Sequence, residues 1–500
     1  MTSTERGPRD SIGSRILSGL AWKAGSQVSL QLVRMVVALA LALMLAPHDW
    51  GLAAMVLVFS GFVVVFTDNA LGTALIQREK LAPGDRSTVF WISAGLGLLL
   101  TLGAMAAASP LASFYGEPEV RALFTVLALT FFVSALGTTH AALLIRDMHF
   151  RILELRLIAA TLVGAGCAIG VAANGFGAWA IVAQQLAEAV VSTTLLWWWS
   201  PWRPSLTFSW GSVRRLGRFA GNVFGENAVY QAGRAVGVAL VGRVLGAASL
   251  GAYSLATTVV LLPFTRLGVP LQQIFLPAFS RMQDDRERMA DMWIRVTRLV
   301  GAITVPALVG LTIVAPDFVQ VVLGPRWEEA VPLIQILAWA ALIQALQTLD
   351  GEVLLALNRS GTLLRFTMLW AVASVGGIAV GLQWGLLGVA VAYTVAVVGV
   401  ELIRLYLTAS ALDISVWRLV RALAGVAQAG AAMAAVLLLA RESVLVDVSP
   451  AARLVLLALL GAVVYVVCCA WRAPEITAEV RAVLHRRRPV KAPAGAVSEI

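Results

Sequence analysis

The sequence predicts an all-α polytopic membrane protein. About 14 transmembrane helices form two pseudo-symmetric six-helix lobes plus two C-terminal helices, with a central cavity. Three observations predict it: the composition, the spacing of long apolar segments, and an internal repeat. Hydrophobic residues make up 59% of the 500 and charged ones 13%, and the mean hydropathy is +0.84. No water-soluble domain sustains such values over this length. At roughly 20 apolar residues per crossing, segments fall at 16–46, 51–76, 88–109, 121–145, 155–173, 177–199, 216–245, 250–276, 294–316, 330–356, 362–381, 386–408, 420–440 and 452–471. The connections are short, so no room is left for a sizeable soluble domain.

The first segment is too long for the core of a cleavable signal and carries Lys23, Gln27, Gln31 and Arg34, so it belongs to the mature protein. An even number of crossings puts both ends on one side, and the basic residues sort accordingly. Of 38 Lys and Arg, 29 lie in the two tails and in the even-numbered connections or the segment ends beside them, and five lie on the opposite side: Arg121, Arg243, Arg326, Arg441 and Arg453. The positive-inside rule then places both termini in the cytoplasm. Trp50, Trp179, Trp197 to Trp199, Trp327, Trp384, Trp417 and Trp471 sit at segment ends, as an interfacial aromatic belt requires. Cys167, Cys468 and Cys469 lie in apolar runs and read as small core residues, not as a disulfide framework. The net charge of +10 is accounted for by this topology and calls for no nucleic acid.

The repeat organises the chain. At a shift of 200 residues, Gln27, Gln31, Arg34 and Gly51 fall on Asn227, Gln231, Arg234 and Gly251. Later in each half the shift is 210: "LALTFFVSALGTT" (127–139) aligns with "LAWAALIQALQTL" (337–349), and Gly175 with Gly385. Six crossings per copy give both copies the same orientation, and two bundles facing a shared site form a transporter arrangement. The expected layout is an N-tail (1–15), an N-lobe (16–199), a linker (200–215), a C-lobe (216–408), two further helices (420–471) and a basic tail (472–500).

Lys23, Gln27, Gln31 and Arg34 line one stripe of the first helix, and Asn227, Gln231 and Arg234 repeat it on the seventh. At membrane depth such a stripe must face protein or water, because lipid offers it no partners. One reading pairs each arginine with an internal carboxylate; the other lines a water-filled, cationic cavity. Arginine suits a phosphate-bearing cargo, since its planar fork pairs bidentately and stays charged. Acidic groups within segments are few: Asp68, Glu188, Glu226, Asp350 and Glu352. Asp350, Glu352, Asp68 and Glu226 are candidates for coupling transport to a proton or sodium gradient, or for pairing with an arginine. His140 aligns with Asp350 and reads as a structural residue ahead of a proton carrier. The chain has no phosphate-binding G-x-x-x-x-G-K-[ST] loop and no histidine spacing for a metal, so neither a cofactor nor a metal is expected. The run "HRRRPVK" (485–491) reads as a topology signal on the cytoplasmic side, where it meets anionic lipid.

The segments "LGTALIQRE" (71–79), "FYGEPEV" (114–120), "GFGAWAIVAQQL" (175–186), "IFLPAFSRMQDDRERM" (274–289) and "LGPRWEEAVPLIQILA" (323–338) resemble a known family. It is the oligosaccharide flippase and polysaccharide export branch of the multidrug/oligosaccharidyl-lipid/polysaccharide transporter superfamily. The likeness covers about residues 15–410. It implies a non-enzymatic transporter working by alternating access on undecaprenyl-pyrophosphate-linked oligosaccharide repeat units. These move from the cytoplasmic to the periplasmic leaflet for capsule, exopolysaccharide or O-antigen assembly, beside a polysaccharide polymerase and glycosyltransferases. Cationic cavity residues recur in such flippases, and Arg34 and Arg234 occupy fitting places. The alternatives are a drug or solute antiporter, which would favour acidic cavity residues, a flippase for the peptidoglycan lipid precursor, and a membrane glycosyltransferase or polymerase, which would need larger loops.

Overall fold

The computed structural model describes residue 30, residues 33–61, residue 75 and residues 84–476, with 211–227, 262–270 and 273 described by backbone only. Every regular element among them is helical. In chain order the helices are α1 (Val33–Met44), α2 (Pro47–Leu57), α3 (Asp85–Tyr115), α4 (Glu119–Arg146), α5 (Phe150–Ala173), α6 (Trp179–Trp199) and α7 (Trp210–Ser280). They continue with α8 (Arg286–Phe318), α9 (Ala330–Leu346), α10 (Asp350–Ala356), α11 (Ser360–Gly381), α12 (Gly385–Ala411), α13 (Val416–Leu439) and α14 (Pro450–Arg472). Helix α7 is two arms joined at Gly246, whose φ of 82° breaks the helical path. Glycine takes that conformation without a Cβ clash. Ten helical stretches among the described residues are long and apolar enough to cross a membrane, and one of them, Ser360–Ala411, contains both α11 and α12.

The ends of these helices follow local chemistry. The Asp285 carboxylate accepts the Arg288 N–H at 3.0 Å and starts α8, and Ser415 accepts the Trp417 N–H at 3.2 Å to start α13. Gly116, at φ 74°, closes α3 in the left-handed conformation.

Two compact units share the chain. The first comprises Met1–Val259, Val322–Leu333 and Gly361–Val400; the second comprises Val260–Val321, Ile334–Ser360 and Glu401–Ile500. In lipid the hydrophobic effect does not drive helices together, so association relies on close packing and buried hydrogen bonds. The first unit shows both. A Cβ on Gly97 of α3 would lie 2.4 Å from that of Ala135 on α4. Beside that contact, Thr101 donates to the Ala128 carbonyl at 3.0 Å and accepts from the Phe132 N–H at 3.2 Å. Helix α6 is tied to α4 by Thr193 to the Val133 carbonyl (2.9 Å) and Trp197 Nε1 to the Leu136 carbonyl (3.1 Å). The segment after α6 lies along α3: Ser205 bonds Ser87, and Trp91 Nε1 donates to the Ser205 carbonyl at 2.9 Å.

The second unit packs Phe279, Met289, Trp293, Val300, Leu349, Val353, Leu412 and Leu419 into one core. Ion pairs fasten α8 near both of its ends. Arg286 pairs with Asp413, Arg298 with Glu475, and Asp291 with Arg418 at 2.6 Å. At the far end, fully buried Asp317 accepts Arg453 Nε at 2.7 Å and lies 3.8 Å from Arg441. Two sequence readings need correction. Cys167 is exposed and Cys468 only half-buried, leaving Cys469 as the core thiol, because the outer face of a membrane helix meets lipid and tolerates an apolar thiol there. Trp327 is wholly buried and does not belong to an interfacial belt; its indole N–H finds a backbone acceptor inside the protein, at Ala42.

Candidate functional site

Of the predicted stripe on the first helix, Arg34 is described; Lys23, Gln27 and Gln31 lie outside the described residues, as does Asp68. The Arg34 side chain is 50% exposed, and its guanidinium stands 3.9 Å from the Glu188 carboxylate of α6. Glu188 also accepts Gln184 Nε2 at 3.2 Å. It reaches this position because Gly164 of α5 has no side chain; a Cβ there would lie 2.5 Å from Glu188 Cγ. A long, half-solvated pair of this kind binds weakly, so most of the Arg34 donors stay available. Glu188 and Gln184 therefore join the site, and an isolated glutamate at the midpoint of an apolar segment was the signal for the first of them.

On the first arm of α7 the side chains of Glu226 and Asn227 lie outside the described residues. Gln231 is half-buried, and its amide fills the space above Gly61, where a Cβ would sit 1.4 Å from Nε2. Tyr230 stacks on Trp370 of α11, with centroids 4.9 Å apart. One turn on, Arg234 is exposed, and no described carboxylate lies within ion-pair distance of it. The arginines equated by the repeat thus share two features: each is exposed on an apolar helix, and among the described residues neither is locked into a tight ion pair.

The second unit holds a different group. Asp350 is fully buried and accepts Trp293 Nε1 at 2.9 Å; its other oxygen has no hydrogen-bond partner among the described residues. Arg404 and Glu401 act on it electrostatically and lie 3.8 Å from each other, with the Glu401 side chain 4% exposed. Gln347 and Thr408 are buried as well. Glu352 is half-buried and, two residues along the helix, faces another way. The sequence reading missed Glu401 and Arg404, although a Glu-x-x-Arg spacing inside an apolar segment marks a same-face charged pair. His140, aligned with Asp350 by the repeat, is buried among Trp197, Trp202 and Phe90, at centroid distances of 4.8, 5.2 and 6.4 Å. Neither of its ring nitrogens has a hydrogen-bond partner among the described residues.

Comparison with known proteins places this arrangement. A family model described as "Polysaccharide biosynthesis protein" matches residues 40–332, more than half of the chain. The chain belongs to this family. Among its relatives is the lipopolysaccharide biosynthesis protein WzxC of Escherichia coli (strain K12), 26% identical over 77% of this chain and 78% of that protein. Another is the teichuronic acid biosynthesis protein TuaB of Bacillus subtilis (strain 168), 25% identical over 70% and 73% of the two chains. The succinoglycan biosynthesis transport protein ExoT of Rhizobium meliloti (strain 1021) is 26% identical over 73% and 74%. Among solved structures, the lipid II flippase MurJ in an inward closed conformation superposes with a TM-score of 0.75 over 92% of this chain and all of its own, at 13% identity. An inward-facing multidrug resistance MATE transporter superposes at 0.65 over 78% and 98%. At such identities these likenesses show the fold alone: this family member is an all-α, multi-pass membrane protein that shares the fold of those structures.

Proposed function

We propose that this family member is a flippase that moves undecaprenyl-pyrophosphate-linked oligosaccharide repeat units from the cytoplasmic to the periplasmic leaflet of the inner membrane, without making or breaking covalent bonds. The observation that carries the proposal is the pair of accessible arginines, Arg34 and Arg234, at repeat-matched positions of two apolar helices. A guanidinium at membrane depth costs roughly 3 kcal/mol even on insertion scales, so it persists only where water and an anion accompany it. A pyrophosphate head group supplies that anion, and Arg34, Arg234, Gln231 and the remaining stripe residues Lys23, Gln27, Gln31 and Asn227 are its proposed contacts. The names of WzxC, TuaB and ExoT, all tied to surface-polysaccharide assembly, support this cargo class. A cavity for cationic drugs would call for carboxylates at these positions.

The return of the empty carrier is coupled to an ion gradient, with Asp350 as the coupling group and Glu401 and Arg404 as its charged neighbours. Both termini lie in the cytoplasm, and a polymerase and glycosyltransferases work on the same lipid-linked units. The test is genetic. Cells lacking the gene accumulate lipid-linked repeat units in the cytoplasmic leaflet and lose the polymer, and the wild-type gene restores both. Export continuing unchanged in the deletion strain, with no second transporter gene present, rejects the proposal.

A further inference from the structure

Over the two turns that carry Arg34 and Arg234, the repeat copies agree in chemistry at every stripe position but one. The first helix has Gln27, Leu30, Gln31 and Arg34; α7 has Asn227, Tyr230, Gln231 and Arg234. Amide faces amide and arginine faces arginine, and only Leu30 against Tyr230 differs. At 3.6 residues per turn each set of four spans an arc of about 100°, so Leu30 and Tyr230 share a face with the polar residues beside them.

The two residues have different surroundings. Leu30 is 5% exposed and Tyr230 43%. One face of the Tyr230 ring lies on Trp370 of α11, with centroids 4.9 Å and planes 24° apart. Trp370 is itself buried against Phe366 and Val400. Helix α7 comes close to α11 here because Gly233 has no side chain; a Cβ there would lie 3.0 Å from that of Ala371. All of these residues belong to the first unit. The ring is thus held from behind, and the face away from Trp370 is the one left exposed. An interfacial belt does not account for it, because Tyr230 stands midway along the 216–245 segment. Neither does lipid, which cannot satisfy Arg234 on the same face.

An aromatic face is electron-rich and attracts the weakly positive hydrogens of C–H groups. The flat side of a hexopyranose presents such hydrogens, and a pyrophosphate does not. Arg234 stands one turn further on, about 6 Å along the helix. In a glycosyl pyrophosphate the first sugar is joined to its phosphorus through a single oxygen, so one ligand can meet both side chains. We propose that Tyr230 is the platform on which the sugar bonded to the pyrophosphate stacks, and that it orients the head group. Arg234 then holds the sugar-linked phosphate, and Arg34, beside apolar Leu30, holds the lipid-linked one. This assignment rests on the transport reading above and names the part of the cargo that each half of the repeat meets.

The test uses the purified full-length protein in detergent and two probes: undecaprenyl pyrophosphate, and the same lipid bearing one glucopyranose, whose equatorial hydroxyls leave C–H groups on both ring faces. Dissociation constants are measured for the parent, Tyr230→Leu, Tyr230→Phe and Arg234→Ala. The sugar should tighten binding to the parent about fivefold, the change that about 1 kcal/mol makes in a dissociation constant. Tyr230→Leu, which installs the residue of the other repeat copy, should lose that gain and keep the parental affinity for undecaprenyl pyrophosphate. Tyr230→Phe should keep the gain, and Arg234→Ala should weaken both lipids alike. Should Tyr230→Leu fail to accumulate, Tyr230→Met is read in the same way. A parent that binds undecaprenyl pyrophosphate without any gain from the sugar, an undiminished gain in Tyr230→Leu, or a gain lost in Tyr230→Phe overturns the platform and leaves the flippase reading standing. A parent that binds neither lipid rejects the flippase reading and the platform with it.

Discussion

Replacing Arg34 by Ala separates a residue that holds cargo from one that holds the fold. Its ion pair with Glu188 is 3.9 Å long, with the arginine side chain 50% and the glutamate 20% exposed. Pairs of that kind contribute roughly 0.2–1 kcal/mol, so Arg34→Ala should leave membrane abundance and thermal midpoint nearly unchanged. A charge-assisted bond to phosphate is worth about 1.5–3 kcal/mol, and at one factor of ten per 1.36 kcal/mol its loss slows translocation by roughly 10- to 150-fold. The two expectations do not overlap. Arg34→Lys keeps the charge and loses the bidentate fork, and so falls between wild type and Ala. Glu188→Gln releases Arg34 and leaves translocation at or above the wild-type rate. The assay is export of lipid-linked oligosaccharide, normalised to the amount of folded protein in the membrane, for Arg34→Ala, Arg234→Ala and the Lys variants. Wild-type export in both Ala variants refutes the reasoning, and so does an Arg34→Ala loss that merely tracks lost protein.

Three more outcomes follow. Asp317 is fully buried against Arg453 and Arg441, which are themselves partly exposed, so Asp317→Ala takes the anion from two half-buried cations and should cost about 1–3 kcal/mol, read as a lowered thermal midpoint in detergent, whereas Arg441→Gln, at the longer contact, should move it little. Asp350→Asn keeps the shape and the oxygen that accepts Trp293 Nε1 while removing the titratable group; export should lose its dependence on an imposed proton gradient at constant abundance, and an unaltered dependence dismisses proton coupling through this residue but not the flippase. Cysteines placed at Ser3 and Ser498 should resist a membrane-impermeant thiol reagent in intact cells, and labelling of either without permeabilisation reverses the topology.

The helices were legible because each apolar segment carries its own length signal and lipid leaves a backbone no alternative to helix. The break in α7 was legible too, since the gap between segments 216–245 and 250–276 brackets Gly246. The 200-residue shift that equated Gly51 with Gly251 pointed to a matched pair without saying that the two touch, because a repeat reports equivalence and not proximity. Contacts escaped for the same reason. Glu188 was visible as a lone carboxylate, yet its meeting with Arg34 depends on Gly164 of the neighbouring helix α5. Trp327 looked like a belt residue because it stands at a segment end, just before 330–356. Its buried bond to Ala42 spans 285 residues, and no local pattern encodes it. Around Asp350, Glu401 and Arg404 stand one turn apart within the 386–408 segment, but no local pattern brings them to a carboxylate on another helix.

The central claim is translocation of a pyrophosphate-linked glycan. The most direct measurement reconstitutes the purified chain into vesicles carrying undecaprenyl-pyrophosphate-linked oligosaccharide in the inner leaflet, then follows its arrival outside with a glycosidase that cannot cross the membrane. The account predicts that the protein accelerates arrival over protein-free vesicles and that the Arg34→Ala, Arg234→Ala double variant, inserted to the same density, does not. Arrival at the protein-free rate under every imposed proton or sodium gradient, or equal rates for the wild type and the double variant, would contradict it.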